Sequence, residues 1–191
     1  MDKKEILRDY VSDMLGVEKH CLESIERQTA DDRFSACPEA HGLLIKIEAV
    51  LRSHTGTLDS CLSTLDGEMK GLFTKATTSA MGAIAGLYGK LREDPVSRSL
   101  RDDYTALSLA AISYTMLHTT ALALHDQPVA ALALKHLNDL TPLIVALSRV
   151  IPEVVARELY AEDKVADPLI YQAALAGTQR AWSPEVIEKL N

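Results

Sequence analysis

Five residues of metal-binding type fall on or beside the apolar stripes of this chain: Glu18, Glu48, His54, His118 and His136. A carboxylate placed on such a stripe has to find a cation, a donor or a metal, because an unpaired buried charge is far too costly to keep. Imidazole serves two purposes there, as a hydrogen-bonded core group or as a metal ligand. If the first loop is centred near Phe34, Glu18 stands 16 residues before it and Glu48 14 after, which sets the two acids at nearly one height in an antiparallel pair. About Asp126, His118 stands 8 residues before and His136 10 after. That mismatch is about 3 Å at the helical rise. Two acids on one hairpin, two histidines on the other and His54 nearby are the makings of a mononuclear metal site. No other chemistry is spelled out. No serine or cysteine lies on a recognisable nucleophile turn, and Cys21, on an apolar stripe, makes a poor thiolate. We therefore assign no catalytic residue and read the chain as a non-enzyme.

The elements that carry these residues are helical. The 191-residue chain is rich in Ala and Leu and has nine Gly, two Phe and one Trp, a balance that favours helix over sheet. Its 27 acidic against 20 basic residues, a net charge of −7, would repel a phosphate backbone over most of the surface, so nucleic acid is not expected as a partner. Cys21, Cys37 and Cys61 are odd in number and widely spaced, and no apolar signal core follows Met1, which points to free thiols in a cytoplasmic protein.

Periodicity predicts a first helix over 3–28, with Leu7, Val11, Met14, Cys21, Leu22 and Ile25 on its apolar stripe and Glu18 among them. We expect that glutamate at the stripe's edge, reaching water. Pro38, suited to a first helical turn, opens a second helix to about Asp66, whose stripe is Leu44, Ile47, Leu51, His54, Leu58 and Leu65. Residues 67–94 are punctuated by glycine, with Gly82 and Gly86 four apart on a helical face that allows close approach by a neighbour. With neither a Walker pattern nor a strand before them, they read as a helical crossover. Asp94 and Pro95 are expected to cap and open a third helix. From Tyr104 to Leu124 that helix carries no formal charge and is apolar on nearly every side, which predicts a central helix buried all round. Its serines, threonines and tyrosines argue against a membrane span.

Asp126 and Pro128 start a fourth helix with Val129, His136, Leu140, Leu147 and Val154 on one side, and with a kink or break expected at Pro142 and Pro152. Beyond Asp163, Asp167 and Pro168 begin a short helix ended by Gly177, a further helix begins at Ser183 and Pro184, and Trp182 anchors the tail. Residues 1–162 form the body and 163–191 the appendage.

The Val17-Glu18-Lys19-His20 run, the Leu51-to-His54 turn, the long crossover and an Ala-rich third helix joined tightly to a fourth resemble the ferritin-like superfamily, nearest to the stress-associated YciE/YciF-type bacterial proteins, over about residues 3–160. The resemblance implies an all-α, ferritin-like four-helix bundle with a long helical crossover, a short helical C-terminal appendage, a stress-associated role and a homodimer. In that superfamily two helices each give a Glu and two each give Glu-x-x-His around a pair of metal ions. Glu18 matches the first Glu and His54 the second-helix His. Leu51 stands where that helix should carry its Glu, and no Glu-x-x-His occurs in the chain. The metal centre is therefore expected to be lost, with no cofactor. Iron or another divalent metal held by the remaining Glu and His residues is the alternative.

Overall fold

The computed structural model describes residues 2–68, 95–162, 164, 167 and 169–181, and every described element is helical. In chain order they are α1 (Lys3–Thr29), α2 (Asp32–Ser35), α3 (Pro38–Glu68), α4 (Val96–Ala123), α5 (Gln127–Ala161) and α6 (Ile170–Ala181). The crossover expected over 67–94, with Gly82 and Gly86, lies outside the described residues apart from Gly67 and Glu68, which belong to α3. Trp182 and the helix expected at Ser183 lie outside them as well.

The stripes read from the sequence are the buried ones. Leu7, Val11, Met14, Cys21 and Ile25 of α1 meet Leu44, Ile47, Leu51 and Leu58 of α3 in one core with Leu100, Leu107, Leu117 and Leu140. Side-chain contacts fix the directions. Arg8 pairs with Asp66 and Glu18 with His54, so α1 and α3 are antiparallel. Thr57 meets His136 and Arg157 meets Glu39, so α3 and α5 are antiparallel too. Gln28, at the end of α1, donates to Asp103, near the start of α4, at 3.0 Å. The α4–α5 hairpin is closed by His118, which donates to the Ala130 carbonyl at 2.8 Å. Because α1 packs on both α3 and α4, and α5 on both as well, α3 and α4 lie on a diagonal and run parallel. The end of α3 and the start of α4 are therefore at opposite ends of the molecule.

The local signals differ in how well they hold. Asp126 caps α5 by accepting from the Val129 amide at 3.1 Å. α4 starts one residue later than expected, with Pro95 as its N-cap, and the Glu158 carboxylate of α5 accepts from the Ser97 amide of its first turn. α5 runs unbroken through Pro142 and Pro152, because its packed face, Leu140, Leu147 and Val154, is held on both sides of each proline. Gly177 does not end α6, which continues to Ala181. The largest departure is α4. By length and composition it could cross a membrane. Its Tyr114, Leu117 and Ala121 are in the core, whereas Ile112 and Met116 are 55% and 51% exposed, so the described helices do not enclose it.

Candidate functional site

The middle of the molecule is polar. α1 supplies Glu18, α3 supplies His54 and Thr57, α4 supplies Tyr114, and α5 supplies His136 and Asp139. Glu18, His54, Tyr114 and His136 are all essentially inaccessible to solvent. One oxygen of Glu18 faces His54 Nδ1 at 3.0 Å, and Asp139 Oδ2 faces His54 Nε2 at 3.2 Å. Lys135 Nζ reaches the same Asp139 oxygen at 2.7 Å, which carries the chain of contacts out to the surface. Each side of the His54 ring therefore meets a carboxylate, and each contact needs a proton. They are either both on the imidazole, or one is on the imidazole and one on a carboxyl group. In both cases the three groups together carry one negative charge, which Lys135 offsets.

The second ring is wired differently. Thr57 donates its hydroxyl to the His54 carbonyl at 2.9 Å, so its oxygen accepts from His136 Nε2–H at 2.8 Å. This leaves His136 Nδ1 as an acceptor for the Tyr114 hydroxyl, also at 2.8 Å. His136 is thus neutral in this network, an assignment made from its partners. Burial, then the charge of His54 and that of Lys135, pull its pKa down to about 3. The two imidazoles are stacked, with centroids 3.7 Å apart and planes 3° from parallel, and Tyr114 stands edge-on to both.

Burial pushes the Glu18 carboxyl up, while His54 and, more weakly, the nearby Tyr114 hydroxyl draw it back. The Tyr114 hydroxyl has its well-formed bond to His136, and Glu18 Oε2 is left with no hydrogen-bond partner. Lys135 holds Asp139 below the usual carboxylate range. Burial, then the charges of Glu18 and Asp103, keep the Cys21 thiol protonated, and all three cysteines are free.

Of the residues selected from the sequence, Glu18, His54 and His136 converge, with potential ligand atoms all within 4.8 Å of one another. Glu18 is fully buried, not at the edge of its stripe. Glu48 and His118 are elsewhere. The α1–α3 register centres nearer residue 36 than 34, since Glu18 faces His54, and this sets Glu48 about 9 Å along the axis from Glu18 at the helical rise. There it accepts from Thr29 and Arg52. His118 lies towards the α4–α5 turn, where it is satisfied by the Ala130 carbonyl. Sequence reasoning missed Thr57, Tyr114 and Asp139. Asp139 had a legible signal, being three residues after His136 and so on the same helical face.

A centre with a pair of metal ions does not fit this set. Leu51, one turn before His54, is fully buried, and the position on α4 that faces the cluster is the phenol Tyr114. Glu18 and Asp139 are the carboxylates in contact with His54, too few to bridge and flank two ions. Compared with known proteins, the chain matches no family model, no curated protein and no solved structure.

Proposed function

We propose that this is a non-enzymatic ferritin-like protein, a four-helix bundle that has lost di-iron chemistry. Leu51 carries the reading. It is buried at 0% exposure one turn before His54, where an oxygen-activating centre would need a carboxylate. The parallel course of α3 and α4 supports the bundle part, because the ferritin arrangement likewise needs a connection that returns along the bundle's length. The stress-associated role and cytoplasmic setting of the proteins it resembles belong to the same proposal.

The test is aerobic oxidation of ferrous iron, followed by the absorbance of the ferric product. The chain is expected to leave the rate at that of buffer. Saturable oxidation that disappears in His54→Ala would overturn the reading.

A further inference from the structure

The loss of a two-metal centre does not empty the middle of the molecule of ligands. Glu18, His54 and His136 come from three different helices, are each about 1% exposed or less, and bring potential ligand atoms within 4.8 Å of one another. Helices already packed through a common core hold these groups together before any ion arrives. A second observation is Glu18 Oε2, a fully buried carboxylate oxygen with no well-formed hydrogen bond, because the Tyr114 hydroxyl beside Glu18 is committed to His136. A buried carboxylate oxygen left without a partner is unfavourable, and a bound cation would supply one. Asp139, with a side chain 36% exposed, touches His54 from the other side and links the cluster to solvent between α3 and α5.

From this arrangement we propose that Glu18, His54 and His136 bind a single divalent transition-metal ion, with Asp139, on the opposite nitrogen of His54, at its point of entry and not among its ligands. This departs from the sequence expectation of no cofactor. It is also independent of the bundle reading, which a failure here would leave standing. The donor set chooses the class of ion. Two imidazoles and one carboxylate, with a position left for water, suit zinc and its first-row neighbours, whereas magnesium and calcium prefer oxygen donors alone.

The stacked rings say what must move. Lone pairs of parallel imidazoles run side by side, and an ion held by both draws one ring out of the stack. The Tyr114 hydroxyl, released from His136, then has Glu18 beside it as an acceptor. The proton that joins Glu18 to His54 is displaced by the ion, as metal binding generally requires, while the other nitrogen of His54 keeps its N–H donated to Asp139.

The experiment uses the full chain, stripped with a chelator, and titrates it with Zn2+ by calorimetry, with Mg2+ as the comparison ion. We expect one zinc ion per chain at micromolar affinity or tighter, and no magnesium. Glu18→Gln, which keeps the side chain's shape, and His136→Ala should each weaken zinc by at least ~10-fold. Glu48→Gln and His118→Ala should leave it unchanged. A direct readout on the unsubstituted chain covers the case in which a core variant does not fold. Of the six histidines, the imidazole nitrogen resonances of His54 and His136 should be the ones that shift on zinc addition. Absence of zinc binding, two ions per chain, or shifts confined to His20, His41, His118 or His125 would each refute the site.

Discussion

At the scale of single residues, the core network is a set of proton assignments that leave little choice. His136 cannot accept from Tyr114 unless its other nitrogen donates to Thr57, and Thr57 cannot receive that bond unless its own hydroxyl points to the His54 carbonyl. Removing one hydroxyl should therefore be felt. Tyr114→Phe keeps the ring that packs edge-on to both imidazoles and deletes only the donor, leaving His136 Nδ1 buried and unpaired. We expect a loss of about 1–3 kcal/mol in urea-induced unfolding. A change within a few tenths would mean that His136 finds another donor. The candidate residues were legible in the sequence as far as the period of their helices reached. Glu18, His54 and His136 stand on apolar stripes and can be picked out without coordinates. Tyr114 could not be, because a helix apolar on nearly every side defines no face, and a phenol within it points in no particular direction.

At the scale of elements, starts were easier to read than stops. Pro38 opens α3 and Asp126 caps α5, both by local chemistry that needs no tertiary information. Stops depend on what comes next. Gly177 fails to end α6, and the prolines of α5 fail to break a helix whose one face is packed along its length. The α4–α5 turn shows a stop built without glycine. The Asp126 amide donates to the Ala121 carbonyl and the His125 amide to that of Leu122, the paired bonds of a Schellman ending, and His125 takes the left-handed position at φ 61°. A side chain at that φ is strained. His125→Gly should raise stability by about 0.5–1 kcal/mol, measured as a shift of the thermal midpoint against the unsubstituted chain. An unchanged or lowered midpoint would show that the histidine side chain repays its backbone strain through contacts of its own.

At the scale of the whole molecule, the pairing of helices was legible and the register was not. Hairpins of α1 with α3 and of α4 with α5 follow from short links between long stripes. The height of one stripe against the next depends on how many residues the link consumes. The small helix α2 takes up part of the link and displaces Glu48 from Glu18. The parallel course of α3 and α4 leads to a prediction about connectivity. α3 alone is 31 residues, about 46 Å long at the helical rise, and the chain must return over a comparable distance before α4 can begin. Replacing residues 69–94 by a five-residue Gly-Ser linker, which reaches at most about 18 Å, should abolish the monomeric fold. Unfolded chain or domain-swapped oligomers are expected in light scattering and circular dichroism. A folded monomer of unchanged helicity would contradict the assigned directions.

The diagonal placement of the two parallel helices bears on the field inside the molecule. Among the four long described helices, each adjacent pair, α1 with α3, α1 with α4, α3 with α5 and α4 with α5, is antiparallel. Each end of this set of four described helices thus gathers two N-termini and two C-termini, and the opposed partial charges of the four largely cancel along the long axis. A charge halfway along these four helices is given no general bias towards cation or anion by their backbones. The electrostatics around Glu18, His54 and His136 are then set by nearby side chains, with Lys135, at the outer end of the contacts, as the positive partner of Asp139.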